Sequence, residues 1–154
     1  MSFRISGLPA EPFAELFSLS DEALAERRAV RVVADSDSGF PCRISLTNAK
    51  RGDTLLLVNY EHQPANTPYY SNYAIYIREG EQQYDRIDDV PELFRRRLLS
   101  VRGFDERGML LDADVTEGTE LEALIERLFA NRQIAYLHVH NARPGCYAAR
   151  IDRA

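Results

Sequence analysis

Residues 119–140 read TELEALIERLFANRQIAYLHVH, and the spacing of the apolar residues changes within this stretch. From Leu121 to Phe129 they recur every three or four positions, which is the period of one face of an α-helix. Over residues 134–140 the pattern becomes the two-residue repeat of a β-strand. The stretch therefore predicts a helix over residues 119–130, buried along one apolar stripe, followed by a strand.

The rest of the chain extends this alternation of helical and strand signals. Thr119 with Glu122 has the spacing of a capping box at the start of the helix. Further helices are predicted to begin at Ser20 and at Pro91, and a short one precedes Ser20. Eight strands are predicted, at Val30–Ala34, Cys42–Leu46, Thr54–Tyr60, Tyr73–Arg78, Leu99–Phe104, Met109–Val115, Ile134–His140 and Cys146–Ile151.

The order of these elements indicates an α+β fold. Several connections between strands are too short for a crossover helix, so neighbouring strands are expected to be antiparallel. The helices lie at the start and near the end of the chain and do not alternate with the strands. We therefore expect a mainly antiparallel sheet with about three to four helices packed on it, in a single domain over residues 1–154.

Composition excludes several classes of function. Apolar residues make up 45% and charged residues 28% of the chain, which is typical of a globular protein. The net charge of −5 argues against a nucleic-acid partner. No apolar run is long enough for a signal peptide or a membrane span, so we expect a cytoplasmic protein with no membrane partner. No nucleotide-binding motif is present, and the oligomeric state is left open.

Two histidines in the last predicted helix–strand unit suggest a metal site. His138 and His140 are two residues apart, so alternation places both imidazoles on one face of the strand. A His-x-His pair can offer two ligands to one metal ion, and His62 could supply a third. The alternative is that they are ordinary polar residues of a half-exposed sheet face.

Cys146 is the candidate nucleophile. It follows the turn 141–145, and a hairpin with a five-residue loop would pair it with His140, whereas a four-residue loop would pair it with Asn141. A cysteine beside an imidazole can become a thiolate nucleophile. Alternatively, it is an inert, buried side chain.

The segment from Asn59 to Tyr76 is interpreted as a long tyrosine-rich loop between two strands, where binding residues often lie. Arg43 could hold a carboxylate or phosphate, or pair with an acidic side chain. The run Arg95–Arg97 is interpreted as a solvated helix face, with an anionic ligand as the alternative. The candidate ligand-binding residues are Arg43, Tyr60, His62, Tyr69 and Asn141.

Three functions remain open. The favoured hypothesis is a small-molecule-binding or sensing module, because no catalytic motif is visible. The second is an enzyme that uses Cys146 with His138 or His140, or a metal held by the histidines. The third is an interaction protein that uses the tyrosine-rich segment as its interface.

Three short motifs resemble those of the bacterial domain of unknown function 1203 family (DUF1203). They are Pro41-Cys42-Arg43, the run NYEHQP at residues 59–64 and the run NARPGC at residues 141–146. The likeness extends over nearly the whole chain. It implies a compact bacterial protein with both cysteines in motif segments, and it implies no activity.

Overall fold

The computed structural model describes all 154 residues, and its strands form two sheets. Sheet A has six strands in the order β7-β1-β11-β10-β8-β9, and sheet B has five in the order β2-β5-β6-β3-β4. All neighbouring strands are antiparallel except the parallel pair β3–β6. The strands are β1 (Phe3–Ser6), β2 (Ala29–Val33), β3 (Pro41–Cys42), β4 (Thr47–Asn48), β5 (Thr54–Gln63), β6 (Ser71–Ile77), β7 (Asp85–Ile87), β8 (Leu98–Phe104), β9 (Leu110–Glu117), β10 (Tyr136–Asn141) and β11 (Tyr147–Arg153).

The helices are short and few, and the predicted α+β class is confirmed. They are α1 (Asp21–Glu26), α2 (Glu92–Arg95) and α3 (Leu121–Phe129), with 3₁₀ segments at Glu11–Ser18 and Gly118–Glu120. None of them is both long and apolar enough to span a bilayer. The strands divide between two sheets, whereas the sequence suggested one.

Helix α3 buries its apolar stripe as predicted, but its first turn differs. All five stripe residues are buried, and each fully buried leucine or phenylalanine contributes about 1.5–3 kcal/mol. The capping box is wrong, because no side-chain cap is present and the α-helix begins at Leu121 after a 3₁₀ turn. A Cβ on Gly118 would lie 1.6 Å from the carbonyl oxygen of Phe94. Close packing of Gly118 on α2 therefore fixes where α3 begins.

At α1, the predicted start at Ser20 is confirmed, since the Ser20 hydroxyl accepts a hydrogen bond from the Ala23 N–H.

Two predicted strand boundaries are wrong in ways that shape the site. The strand expected over Cys42–Leu46 stops at Cys42, and the chain turns over residues 43–46 with Leu46 at a positive φ of 56°. The loop expected between the strand ending at Tyr60 and the strand beginning at Tyr73 is shorter than predicted, because β5 continues to Gln63 and β6 begins at Ser71. Arg43 therefore lies in a turn, and only residues 64–70 form the loop.

The two faces of sheet A have different partners. Leu137 and Val139 belong to the same buried cluster as the α3 stripe. Tyr147 of β11 joins a second cluster that is formed largely by strands of sheet B. Because side chains alternate along β10, His138 and His140 point away from α3 and toward sheet B. The space between the two sheets is where the candidate residues gather.

Candidate functional site

Three histidines from the two sheets meet around the ring of Tyr147. The ring centres of His62 and His140 are 5.0 Å apart, and His138 lies 6.4 Å from each. The Tyr147 ring stacks on His62 at 5.5 Å and contacts His138 and His140 at 5.1 and 5.8 Å. The structure thus brings together the three histidines that the sequence singled out.

These histidines are not arranged to hold a metal ion, and no group of three potential ligands in the chain is. The three ring centres form a triangle with sides of 5.0, 6.4 and 6.4 Å, and the Tyr147 ring contacts all three imidazoles. The predicted ligand set converges, but without metal geometry.

All three imidazoles are neutral at pH 7. The pKa of His138 and of His140 is lowered to about 3, and that of His62 to about 4, mainly by burial and in part by nearby arginines. His140 Nδ1 lies 2.9 Å from the carbonyl oxygen of Gly145, so it carries the proton and donates. The Nδ1 atoms of His62 and His138 are buried and have no hydrogen-bond partner.

Arg102 adds a positive charge to this cluster. It lies directly opposite His138 in the pairing of β8 with β10. It is half-buried, and burial lowers the pKa of its guanidinium. The guanidinium forms no ion pair or side-chain hydrogen bond. Arg102 lines a cavity of about 130 Å³ together with His62, His140 and Tyr69, which we call the histidine pocket.

Cys146 lies on the other side of the same hairpin. The Gly145 N–H donates to the Asn141 carbonyl oxygen, and the Asn141 N–H donates to the Cys146 carbonyl oxygen. The loop therefore has four residues, and Cys146 faces Asn141, while His140 pairs with Tyr147. The alternative pairing of Cys146 with His140 is wrong, and no histidine hydrogen-bonds the sulfur.

The sulfur of Cys146 instead contacts a buried guanidinium. Arg43 is only 3% exposed, and it donates Nε to the Tyr147 carbonyl oxygen at 2.6 Å and Nη1 to the Pro41 carbonyl oxygen at 2.7 Å. Its Nη2 donates to Cys146 Sγ at 3.0 Å, and Asn141 Nδ2 approaches the same sulfur at 3.4 Å. No carboxylate pairs with Arg43.

This contact is the closest that Arg43 comes to an ionisable side chain of opposite charge. A guanidinium stays protonated in proteins, and a buried charge is costly unless it is paired. Burial lowers the pKa of Arg43, and the charge of Cys146 acts in the opposite direction. Cys146 is the only ionisable side chain that accepts a hydrogen bond from Arg43.

Cys146 opens onto a cavity of about 350 Å³ that we call the thiol pocket. The sulfur-bearing residue is 8% exposed, and Tyr73 and Tyr76 of β6 contribute to the wall. Arg97 enters the same cavity, and its Nη1 donates to Asn141 Oδ1 at 3.0 Å. Arg97 forms no ion pair, so the pocket combines two uncompensated cations with a thiol and aromatic walls.

The remaining candidate residues divide between the two pockets. Asn141 and Arg43 belong to the thiol pocket, and Tyr69 lines the histidine pocket. Tyr60 packs on Phe13 and Tyr147 beneath them. The expected solvated face of the arginine run holds for Arg95 and Arg96, which pair with Glu122 and Glu92, but not for Arg97.

The sequence considered Arg97 only as part of the run Arg95–Arg97, and it did not assign Tyr147 to a site. Arg102 lies opposite His138 across the β8–β10 pair, and the sequence alone cannot show this because it does not give the register of the two strands.

A wider groove of about 720 Å³, lined by residues such as Asp105, Arg132 and Arg153, is open to solvent and contains no cysteine.

Comparison with known proteins gives a family and no activity. No curated protein and no solved structure matches the chain. The family model described as "Protein of unknown function (DUF1203)" matches residues 39–153, which is most of the chain. The matched part contains every residue of both pockets, and it confirms the resemblance seen in the sequence. The chain belongs to the DUF1203 family.

Proposed function

We propose that this protein is a small-molecule-binding or sensing module whose ligand is a small organic anion held in the thiol pocket. The observation that carries the proposal is the contact of buried Arg43 with Cys146 Sγ at 3.0 Å. The contact places a guanidinium and a free thiol at the same point of one cavity.

The ligand class follows from the charges of the pocket. Arg43 donates hydrogen bonds to two carbonyl oxygens and to the sulfur. Its role is therefore to hold these groups in place, and it has little capacity left to bind a ligand. Arg97 uses one donor on Asn141, and its other donors are free for a carboxylate. Tyr73 and Tyr76 provide apolar walls for the rest of the molecule. A cavity of about 350 Å³ accommodates a small metabolite.

A covalent role of Cys146 is the second candidate, because this free thiol and Arg97 line the same cavity. A thiolate can add to an electrophilic ligand that Arg97 has oriented. The sulfur has no imidazole partner, so general acid–base catalysis by a Cys–His pair is not part of this proposal. Cytoplasmic residence belongs to the proposal, because the site needs a reduced thiol and both cysteines are free.

Competing alkylating reagents test the proposal. Iodoacetate and iodoacetamide differ in charge, and the anionic reagent is disfavoured at an ordinary thiolate. We expect the rate with iodoacetate, divided by the rate with iodoacetamide, to be at least tenfold higher for Cys146 than for the thiol of glutathione. Mass spectrometry locates the adduct, since the chain also carries a free thiol at Cys42.

Two variants separate the pocket charge from general surface charge. Arg97→Gln is expected to remove most of the preference for iodoacetate, whereas Arg96→Gln, which changes an exposed neighbour paired with Glu92, should leave it unchanged. Small carboxylates should slow the alkylation in the wild type and not in Arg97→Gln. If Cys146 in the folded protein shows the glutathione ratio, or does not react, the proposal is wrong.

A further inference from the structure

The histidine pocket has the elements of a second, smaller site that is independent of the thiol. Arg102 is half-buried and has no carboxylate partner, although the structure contains many arginine–carboxylate pairs elsewhere. The cavity of about 130 Å³ is too small for most metabolites, but it accommodates an ion of the size of phosphate. A guanidinium without a carboxylate partner, at a cavity of this size, is suited to bind an oxyanion.

The two histidines that line the pocket differ in what they can offer. His140 donates Nδ1–H to the Gly145 carbonyl oxygen, so its neutral ring presents Nε2 as an acceptor. His62 has its Nδ1 buried without a partner. A buried N–H without an acceptor is rarer than an unfilled acceptor, which favours the tautomer with the proton on Nε2. His62 then presents a donor and His140 an acceptor.

We propose that the histidine pocket binds a small oxyanion that retains a proton, with inorganic hydrogenphosphate as the fitting ion. Arg102 and His62 donate to its charged oxygens, and its hydroxyl donates to His140 Nε2. An anion of equal charge without a proton leaves the His140 acceptor facing an oxygen, and such a mismatch lowers affinity strongly.

The surroundings of the pocket contain no competing carboxylate. The charges that act on the three imidazoles are those of Arg43, Arg102 and Arg150 and of the other histidines. Arg150 pairs with Asp152. Glu61, next to His62 in sequence, accepts a hydrogen bond from the Tyr70 hydroxyl. The positive charge at Arg102 is therefore available to an anion.

Calorimetric titration at pH 7.5 tests the proposal, with inorganic phosphate, sulfate and methyl phosphate as probes. All three are then mainly dianions of similar shape, and only inorganic phosphate keeps a proton. We expect phosphate to bind at least tenfold more tightly than either of the others. The methyl phosphate arm also distinguishes free phosphate from a phosphorylated metabolite.

Three variants assign the binding to this pocket. Arg102→Gln should weaken phosphate binding at least tenfold, while Arg132→Gln, at an exposed arginine of the open groove, should change it less than twofold. His140→Asn keeps a donor for the Gly145 carbonyl oxygen but removes the Nε2 acceptor. The affinity for phosphate should therefore fall to the affinity for sulfate. Equal binding of phosphate and sulfate by the wild type overturns the proposal. So does an unchanged affinity in Arg102→Gln, or no binding of phosphate. None of these results depends on Cys146 or Arg97.

Discussion

Acid should destabilise this protein through its buried histidines, by an amount that can be worked from the structure. His138 and His140 are 4% and 1% exposed, and their pKa values are lowered to about 3 by burial first of all. In the unfolded chain both return to the ordinary value of about 6.5. Between these pH values the unfolded state therefore binds protons that the folded state does not bind. As a result, the free energy of unfolding falls as the pH drops below about 6.5 toward 3.

The magnitude is clearest at pH 5. That pH lies well above both folded-state pKa values, so His138 and His140 stay neutral in the folded protein while they protonate in the unfolded chain. Each then contributes about 2 kcal/mol of destabilisation relative to pH 7.5, and the pair about 4 kcal/mol. This is a large part of the 5–15 kcal/mol by which domains are usually stable. His62 is left out, because its half-exposed ring is screened by solvent.

Urea unfolding at pH 7.5 and pH 5.0, in chloride buffers without phosphate or sulfate, measures the effect. The comparison is with His138→Phe, which removes a buried ring whose Nδ1 has no partner, and with His140→Asn, which keeps the donor to the Gly145 carbonyl oxygen. Carboxylates titrate alike in all three proteins, so their contribution cancels. Each variant should lose about 2 kcal/mol less than the wild type between the two pH values. Equal losses, or imidazoles that titrate near pH 6.5 in NMR spectra of the folded protein, would refute the reasoning.

Three further substitutions test the architecture. Arg43→Met should lower the free energy of unfolding by about 3–5 kcal/mol, because it removes three buried hydrogen bonds and leaves the Tyr147 and Pro41 carbonyl oxygens without this donor. Gly118→Ala should cost more than about 4 kcal/mol, because its Cβ has no room against α2, whereas Gly80→Asn, at an open turn with positive φ, should cost about 1 kcal/mol or less. Leu128→Ala should cost about 2–5 kcal/mol and Leu111→Ala, on an exposed strand, less than about 1 kcal/mol, both by urea unfolding.

The features that the sequence predicted correctly are those set by local pattern. The stripe of α3 repeats with the helical period, and the histidine pair follows the strand period, so both faces could be read without knowing any contact. The end of the strand at Cys42 could not be predicted, because the turn that follows is fixed by contacts with residues far away in the sequence, both before and after it. Leu8 N–H donates to the Arg43 carbonyl oxygen, and the Arg43 N–H donates to that of Tyr76.

The site was only partly predictable for the same reason. Arg43 and Cys146 are 103 positions apart, and their contact depends on how the turn after β3 meets the hairpin of β10 and β11. The same hairpin carries Gly145, whose carbonyl oxygen holds His140, and Tyr147, whose ring packs against the histidines. Residue types and spacings identified both cysteines and all three histidines as notable. Only the packing of sheet A against sheet B determines which of these cysteines and histidines become neighbours.

The overall charge of the chain gives the wrong impression of its two pockets. The net charge is −5, yet Arg43, Arg97 and Arg102 take part in none of the ion pairs, which use arginines nearer the surface. Exposed charges are screened over roughly 8 Å at physiological salt, whereas charges in a partly buried pocket are screened less. A nucleic acid meets the outer surface and needs a basic face, but a small anion that enters a pocket meets the unpaired cations first. In the proposed function, the acidic surface and the cationic pockets together favour small anions over polyanions.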